Sequence, residues 1–432
     1  MQAPAPTARG LFPACAESLF ALENPEQYWR QNKLTFFRHP IPTFNCGASR
    51  RPTSMTQITQ FPFVSVSGAP EARGRAYGQQ AADRVRKSAK MYGQTLVDLG
   101  YDAMARTQLI TGFAREIENF APHYLEEMRG IAAGADVPFE DIVMVNARTE
   151  VIAKARAEKK KAAELEPGDG CTGALILPTR SANGRLIHGQ NWDWRAECAD
   201  TAIVLRVRND NGPDMLTFVE AGGLARSGLN SAGVSITANY LESDRDFRQL
   251  GVPLSLIRRK VLEQEHFALA IKAVATTPKS CSNNIMIGMA AGFGVDYECT
   301  TDEAFPLYPG SDDLIVHANH WVSEVALGKL RDTGRASTPE SAYRDWRVRR
   351  LLNEQPKLTR EDLKRALFDD FGSPYSVCRP PRPGSHDNLS ATVAMVIMEP
   401  EAGLMEVAPL PALNRSFTRY SLNAEPELLA AA

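Results

Sequence analysis

The 432-residue chain is predicted to have an α+β fold in which helices sandwich antiparallel sheets. Helical periodicity dominates residues 70–161, and short strands separated by turn residues follow Gly170. Later strands and helices come in runs rather than in strict alternation, which argues against a parallel sheet built from strand–helix–strand units. Hydrophobic residues make up 44% of the chain and charged residues 23%, so it can bury a sizeable core.

The first 54 residues differ from the rest in composition and in hydrophobic pattern. They are rich in Pro, Arg and small polar residues, show no sustained period, and lack the apolar stretch of a secretory signal. We interpret residues 1–54 as a disordered N-terminal extension, so a chain that begins at Met55 is expected to fold and work normally. Residues 59–67 then predict a short strand that ends at Gly68.

Apolar residues at three- and four-residue spacing predict a helical region between residues 70 and 163. The predicted helices are 71–97, 103–120, 123–133 and 139–163. Gly74 and Gly78 share one face of the first helix and do not fit a dinucleotide-binding motif, which favours close helix packing. The charged run 154–161 is interpreted as a solvated helix end, and it stops at the loop signal of residues 167–170.

After Gly170 the pattern changes to strands with a middle and a late group of helices. The predicted strands are 174–177, 185–191, 202–207, 215–220, 227–229, 234–239, 284–290, 294–298, 313–319, 392–397 and 404–407, and the predicted helices are 254–263, 267–276, 339–353 and 360–368. Asn183-Gly184 is the strongest hairpin signal in the chain. That hairpin would bring residues 190–193 back close to Cys171.

Composition excludes several classes of protein. Lys plus Arg is 49 and Asp plus Glu is 51, and this balance gives no support to a nucleic-acid binder or a membrane-surface protein. No apolar run of about 18 residues exists to span a bilayer. The seven cysteines are odd in number and contain no C-x-x-C pair, which indicates free thiols in a reducing, cytoplasmic compartment. We expect no cofactor and no metal.

The junction Asp169-Gly170-Cys171-Thr172 carries the clearest chemical signal. A cysteine after glycine can attack the carbonyl of the preceding residue, because Gly170 has no Cβ to shield that carbonyl. An N-to-S acyl shift and hydrolysis would leave Cys171 as a new N-terminus. Its α-amine, with an ordinary pKa of about 7.7–8.0, would then act as the base for its own thiol. By itself the segment is also typical of a buried free cysteine.

The neighbouring motifs change the balance between these interpretations. Gly170-Cys171-Thr172 together with Gly189-Gln190-Asn191-Trp192-Asp193 resembles the penicillin acyltransferase family, which contains acyl-CoA:6-aminopenicillanic acid acyltransferases and their hydrolase relatives. The resemblance begins near Gly68 and covers roughly four-fifths of the chain. Its further motifs are residues 68–78, 146–150, 228–234, 317–320 and 376–379.

The resemblance implies a four-layer αββα N-terminal-nucleophile hydrolase that is made as an inactive precursor. Cleavage between Gly170 and Cys171 would give a small chain (55–170) and a large chain (171–432), which stay associated as a heterodimer, with 55–432 as one structural unit.

The family's nucleophile falls on Cys171, its active-site aspartate on Asp193, its asparagine on Asn319 and its arginine on Arg379. Thr172 and Asn191 are expected to support these groups. The Asn319 amide is the candidate oxyanion donor. Arg379 would either hold Asp193 in a buried ion pair or bind a substrate carboxylate.

Other residues near these motifs are open to simpler interpretations. His317 and His320 flank Asn319, but no third ligand for a metal is evident. Trp192 and Trp194 are interpreted as packing residues, with an acyl-pocket role as the alternative. Tyr240 and Phe371 are candidate pocket walls.

The preferred function is hydrolysis of a small-molecule N-acyl amide through a cysteine thioester. The chain ends in Leu428-Leu429-Ala430-Ala431-Ala432 rather than in the peroxisomal tripeptide of the fungal penicillin-making enzymes, and this departure favours hydrolysis. Three alternatives remain: acyl transfer to an amine, a non-catalytic binding protein with the same fold, and a Cys-His hydrolase that uses His317 or His320.

Overall fold

The computed structural model describes residues 59–160, 170–383 and 389–429. The expectations for residues 1–54 and for most of the loop at 167–170 lie outside these described residues, as does Lys161 at the end of the charged run. No described helix combines the length and the apolar character that crossing a membrane requires.

A helical region precedes the Gly170–Cys171 junction. After strand β1 (Phe63–Ser67), its helices are α1 (Pro70–Gln80), α2 (Ala82–Asp98), α3 (Ala103–Phe120), α4 (Pro122–Ala135), α5 (Phe139–Asn146) and α6 (Arg148–Lys160). Helices α1 and α4 pack backbone to backbone, since a Cβ on Gly74 would lie 2.1 Å from the Glu127 carbonyl oxygen and one on Gly130 would lie 2.1 Å from that of Glu71. The predicted use of Gly74 for close helix packing is confirmed.

Two predicted helices are each divided in two. The helix expected over 71–97 is interrupted at Ala81, whose φ of −113° and ψ of 19° lie outside helical values. The helix expected over 139–163 is interrupted at Ala147, beside Asn146. The Asn146 amide nitrogen bonds the carbonyl of Gly222 at 2.9 Å and its amide oxygen accepts from Leu224 N–H at 3.0 Å. Neither interruption has a Gly or Pro to mark it in the sequence.

The described strands form two sheets, and the one that we call the second sheet begins at the Gly170–Cys171 junction. Its strands are β2 (Cys171–Ile176), β3 (Ile187–Arg195), β11 (Leu314–His317), β12 (Arg382–Pro383), β13 (Leu389–Glu399), β14 (Leu404–Pro409), β15 (Thr418–Ser421) and β16 (Glu427–Leu428). Its main path is β11-β2-β3-β13-β14-β15-β16, and β12 pairs with β13. Strand β2 turns into β3 at Gly184, whose φ is +71°, and Cys171 lies opposite Trp192.

The first sheet contains β1 and seven strands that follow β3 in the chain. These are β4 (Ala202–Arg208), β5 (Met215–Glu220), β6 (Ser227–Asn230), β7 (Val234–Tyr240), β8 (Asn283–Met289), β9 (Phe293–Cys299) and β10 (Ala304–Leu307). The order is β1-β4-β5-β6-β7-β8-β9-β10. Strand β1 lies at one edge and pairs parallel to β4, with Phe63 opposite Val204, whereas the other pairs are antiparallel.

The two sheets face each other and helices cover their outer faces. Strands β2 and β3 pack on β7, and β13 packs on β6. The middle and late helices are α7 (Leu254–Leu262), α8 (Phe267–Thr276), α9 (Glu324–Leu327), α10 (Ser341–Leu352) and α11 (Arg360–Leu367). Helices α1, α7 and α8 pack on the first sheet, and α10 and α11 pack on the second. The predicted αββα architecture is confirmed.

Three differences from the predicted strands concern the surroundings of Cys171 or the sheet edges. Strand β3 continues to Arg195 because β13 pairs along it, which places Asp193 inside a strand rather than after one. Strand β11 ends at His317, so Asn319 lies just beyond it. The sequence pattern does not predict β10, β12, β15 or β16, because these strands have only two to four residues and are too short to show an alternating pattern.

Candidate active site

The peptide between Gly170 and Cys171 is held at both of its polar atoms. The Gly170 carbonyl oxygen accepts a hydrogen bond from the Asp193 backbone N–H at 2.9 Å. The Cys171 N–H donates to Asn319 Oδ1 at 2.7 Å. The hairpin therefore brings residues 190–193 back to the junction, as the Asn183-Gly184 signal predicts.

Gly170 lies against charged side chains rather than in open space. A Cβ at this position would lie 2.9 Å from Arg379 Nη2, 3.0 Å from Asp193 Oδ2 and 3.1 Å from Arg344 Nη2. Only glycine fits here without displacing one of these groups, because such distances are shorter than ordinary van der Waals contact. The residue before Cys171 is thus embedded in the same charge cluster as Asp193.

Asp193 and Arg379 form the centre of that cluster, and neither side chain is exposed. Arg379 Nε lies 3.2 Å from Asp193 Oδ2, and Arg379 Nη2 lies 2.6 Å from Glu340 Oε1. Thr392 Oγ1 donates to Asp193 Oδ1 at 2.6 Å and accepts from Arg379 N–H at 2.8 Å. Of the two roles expected for Arg379, these contacts correspond to the buried ion pair.

The pKa of the Asp193 carboxyl reflects two opposing influences. Burial raises it, while the charges of Arg379 and Arg344 and the Thr392 hydrogen bond lower it. The net direction is upward. Burial alone favours the neutral acid, so the negative charge of Asp193 depends on its two arginine neighbours.

Asn319 presents its amide oxygen to Cys171. Besides the Cys171 N–H, Oδ1 accepts from Arg344 Nη2 at 3.0 Å, while Nδ2 donates to the Tyr240 carbonyl at 2.9 Å. Because arginine is only a donor, this pattern fixes the orientation of the amide. The expected role of Asn319 as an oxyanion donor therefore depends on the second hydrogen of Nδ2.

Arg344 on α10 ties the start of β2 together. Its Nη1 donates to the Cys171 carbonyl and to Thr172 Oγ1, both at 2.8 Å. The expected supporting role of Thr172 is consistent with this bond. Asn191 faces the helical layer instead, where Nδ2 bonds the carbonyls of Leu367 and Val377. Asn191 thereby anchors the segment that leads into Arg379.

The Cys171 thiol opens into a cavity of about 370 Å³ between the sheets and helices. Arg226 Nη2 lies 3.7 Å from Cys171 Sγ, and the guanidinium stacks on the Trp192 ring at 4.2 Å. Burial raises the pKa of the thiol and Asp193 adds to that, while Arg226, the Asp193 N–H and Arg258 lower it. Cys171 is 6% exposed as a residue, and it borders the cavity.

Further cavity-lining residues come from α6, β3, β7 and α7 and from the loops around them. Trp192 and Trp194 both line the cavity, which corresponds to the alternative expected for them, and Trp192 also belongs to the core. Tyr240 lines it as expected. Phe371 is 57% exposed and is not one of the described lining residues, so the expectation for Phe371 is wrong.

The two histidines have partners of their own. His317 Nε2 lies 2.8 Å from Glu298 Oε1, and His320 Nδ1 lies 2.8 Å from Ser341 Oγ. Burial lowers the pKa of His317, but Asp296 and Glu298 outweigh it and raise that pKa to about 10. Neither histidine lines the Cys171 cavity, and the described residues contain no cluster of potential metal ligands.

No sequence pattern identifies Arg344, Glu340, Thr392 or Arg226 as residues of the site. Arg344 is separated from Cys171 by 173 positions. It lies in a helix rich in arginine, which in a sequence is typical of a solvated face. Arg226 lies just before the motif at residues 228–234, but no charged partner in the sequence distinguishes it.

The sequence is similar to those of known proteins. Residues 179–408 match the family of acyl-coenzyme A:6-aminopenicillanic acid acyl-transferases. The 40 kDa form of acyl-coenzyme A:6-aminopenicillanic-acid-acyltransferase from Emericella nidulans is 28% identical over 328 residues, which cover 73% of this chain and 84% of that protein.

Two solved structures are also similar. A mutant of conjugated bile acid hydrolase from Clostridium perfringens has 12% sequence identity and a TM-score of 0.41, with 60% of this chain and 96% of that chain covered. Penicillin V acylase from Agrobacterium tumefaciens has 13% identity and a TM-score of 0.37, with 59% and 92% covered.

Proposed function

Because the chain belongs to the acyl-coenzyme A:6-aminopenicillanic acid acyl-transferase family, we propose that it is a self-processing cysteine N-terminal-nucleophile amidohydrolase. It cleaves an N-acyl bond through a thioester between the acyl group and Cys171. The substrate is a small molecule that enters the 370 Å³ cavity, and no cofactor takes part.

The observation that carries the proposal is the arrangement around the Gly170–Cys171 peptide. The Asp193 N–H that bonds the Gly170 carbonyl oxygen, at 2.9 Å, is a ready donor to the oxyanion that would develop there. Gly170 has no Cβ beside its carbonyl carbon, and the thiol borders a cavity that can admit water. A merely structural buried cysteine needs none of these features.

Self-cleavage then follows in two balanced steps. Cys171 Sγ attacks the Gly170 carbonyl carbon, the peptide C–N bond breaks, and the Cys171 nitrogen takes the thiol proton to become a free amine. Water next attacks the resulting thioester, which releases the Gly170 carboxylate and restores the thiol. The products are an N-terminal chain ending at Gly170 and the chain 171–432.

In the mature enzyme the freed α-amine acts as the base. It accepts the thiol proton, the thiolate attacks the substrate carbonyl, and the α-ammonium returns the proton to the leaving amine. Water then resolves the thioester with the same amine as base. Asn319 Oδ1, which bonds the Cys171 N–H at 2.7 Å in the uncut chain, holds the amine, and Asp193 Oδ2 faces the space that Gly170 leaves.

Two groups stabilise the oxyanion of the substrate reaction. The Asp193 N–H loses its Gly170 partner after cleavage, and the second hydrogen of Asn319 Nδ2 supplements it. Removal of one such donor typically lowers kcat by about 10²–10³-fold. Arg379 acts indirectly, because it neutralises Asp193 from a fully buried position.

The cut chains remain one structural unit after cleavage. Residues of the helical region, such as Tyr77, Phe113 and Ile131, share a single core with both sheets. The proposal includes a cytoplasmic location, since the described cysteines Cys171, Cys198, Cys281, Cys299 and Cys378 are all free thiols.

The decisive experiment is intact mass measurement and N-terminal sequencing of the purified protein, together with its Cys171→Ala variant. Wild-type protein is expected to yield a large chain that begins at Cys171 and to hydrolyse N-acyl amides. The variant is expected to remain uncut and to lose at least about 10⁴-fold in rate, because it lacks the nucleophile.

Cys299→Ala is the matched control, since Cys299 is also a buried free thiol but belongs to β9. It should be cut normally. A folded, active wild-type protein that stays in one piece would refute the self-cleavage mechanism. Loss of turnover in His317→Ala or His320→Ala with cleavage intact would instead favour a Cys-His hydrolase.

Acyl transfer is the second candidate, and the acyltransferase name of the Emericella relative favours it. The same thioester would then be resolved by an amine in place of water. Product analysis with one acyl donor, in the presence and absence of added amine, separates the two. Dominant N-acyl product at millimolar amine would establish transfer as the main activity.

A further inference from the structure

Two arginines that border the Cys171 cavity lack the partners that buried arginines normally have. Arg226 and Arg258 are 7% and 6% exposed, and both line the cavity. Among the described residues, the Nε of each has no hydrogen-bond partner, and neither side chain forms an ion pair. Apart from the stacking on Trp192, the Arg226 guanidinium contacts the Cys171 thiol.

The neighbouring Arg259, in contrast, has the carboxylate partners expected of a buried arginine. It is fully buried and bonds Glu127 at 3.0 Å and Glu263 at 2.9 Å. Arg258, the adjacent residue on α7, points to the cavity and has none of these contacts. Burying a guanidinium without a carboxylate bonded to it is costly, so the contrast indicates that Arg258 is kept for a group that arrives from outside.

The charges near the cavity leave a positive excess on this wall. Arg148 also lines the cavity, but Glu220 neutralises it through an ion pair. Glu150 acts on Arg258 electrostatically, and its Oε1 accepts from the Leu254 N–H at 2.6 Å. Burial lowers the pKa of Arg258 to about 9, and Arg226 and Arg148 contribute to this. This wall therefore carries three guanidinium charges, on Arg148, Arg226 and Arg258, against the two carboxylates of Glu220 and Glu150.

We propose that Arg226 and Arg258 form a subsite for a carboxylate of the substrate, next to the scissile amide. This inference rests on the proposed amide-cleaving function and names its substrate class. Arg226 Nη2 lies 3.7 Å from Cys171 Sγ, so a carboxylate bound there is within a few bonds of the reacting carbonyl carbon. Guanidinium groups bind carboxylates through charge-assisted, often bidentate hydrogen bonds.

The carboxylate belongs either to the amine half, as in an N-acyl amino acid, or to the acyl half, as in a dicarboxylic monoamide. Glu242 and Asp246 also line the cavity and would repel it, which directs it to the arginine wall. Both sources present the same chemistry to Arg226 and Arg258, and two arms of one experiment distinguish them.

The test measures kcat/KM of the cut wild-type enzyme on matched amides. One arm compares an N-acyl amino acid with its carboxamide, and the other compares a dicarboxylic monoamide with its neutral acyl analogue. In one of the arms the carboxylate substrate is expected to be preferred by at least about tenfold. The arm that shows the preference identifies the half that carries the charge.

Arg258→Met is expected to reduce that preference ratio by about 10–100-fold, since it removes the cation but keeps an unbranched side chain of similar length. Arg258→Lys, which keeps a charge, is expected to restore part of the ratio and covers the case in which the Met variant fails to fold. Arg248→Met, at an exposed arginine that bonds the Asp244 carbonyl, is the control and should leave the ratio unchanged.

Failure of the subsite and failure of the function give different results. A cut, active enzyme that does not prefer a carboxylate in either arm, or whose Arg258→Met variant keeps the full ratio, would overturn the subsite alone. If no amide is turned over, the function fails, and the subsite is tested by calorimetric titration of uncut Cys171→Ala protein with an N-acyl amino acid and with a dicarboxylic monoamide. Binding of either compound that Arg258→Met abolishes supports the subsite, and failure of both to bind overturns it.

Discussion

The buried arginines on the two sides of Cys171 differ in how many hydrogen-bond partners they have in the protein. On the side of Gly170, Arg379 is paired with both Asp193 and Glu340, and Arg344 donates to Cys171, Thr172 and Asn319. On the cavity side, Arg226 and Arg258 have no carboxylate bonded to them among the described residues. We call the first side the scaffold flank, because it holds the Gly170–Cys171 peptide that we propose is cut. The second side is where we propose that a substrate carboxylate binds.

The largest expected effect on the scaffold flank comes from Arg344→Met. Without this guanidinium, the Cys171 carbonyl, Thr172 Oγ1 and Asn319 Oδ1 lose their shared donor. The rate of self-cleavage is expected to fall by about 100-fold, as for other residues that orient a catalytic group. The rate is measured from the loss of uncut protein after synthesis.

Arg347→Met is the control for this variant, because Arg347 lies on the same helix and pairs with Asp369 instead. It should be cut at the wild-type rate. Arg344→Lys is expected to recover part of the cleavage rate, which a merely structural loss would not predict. Equal cleavage rates in Arg344→Met and Arg347→Met would show that the scaffold flank does not orient the peptide.

A smaller effect is expected from Gly170→Ala. The new Cβ would displace Arg379, Asp193 or Arg344, so self-cleavage should slow by at least about tenfold. Residue 170 ends the other chain after cleavage, so turnover per cut molecule should fall far less than the cleavage rate. Gly212→Ala is the control, because no atom lies within 4 Å of the position that its Cβ would take. Cleavage of Gly170→Ala at the wild-type rate would contradict the crowding argument.

The hairpin and the partners of Asp193 differ in how far the sequence alone could predict them. The strand pair around Asn183-Gly184 was predictable because it is local, and it places Cys171 opposite Trp192. The partners of Asp193 were not predictable individually, since Thr392 and Glu340 reach it or Arg379 from distant segments.

The same limit applies to the distinction between the two flanks. Arg258 and Arg259 are adjacent and identical in the sequence, yet only Arg259 meets Glu127 and Glu263. Which of two neighbouring helix positions faces a cavity depends on the packing of α7, and no local pattern reveals it.

The smallest expected effect concerns pH and the segment that leads to Asn319. His317 packs among Glu298, Asp296, Asp345 and His320, and the acidic groups raise its pKa from 6.5 to about 10. Because the folded protein holds this proton more tightly than the unfolded chain, the resulting stability is complete below pH 6.5. It is lost progressively as the pH rises towards 10.

Thermal unfolding of wild type and of His317→Gln across this pH range tests the effect. The advantage of the wild type in Tm is expected to shrink by a few degrees between pH 6.5 and 10. A difference in Tm that stays constant or grows over this range would show that His317 is not protonated in the folded protein.

Strand β1 gives the proposed cut a lasting consequence. It forms the edge of the first sheet by pairing with β4, yet it belongs to the piece that ends at Gly170. Once the junction is cut, the native sheet is shared between two molecules, and refolding from the denatured state becomes a second-order reaction that dilution slows. The uncut chain folds at a rate independent of its concentration. The native state would thus depend on folding that takes place before the cut. A mature enzyme that is denatured at low concentration would not readily regain it.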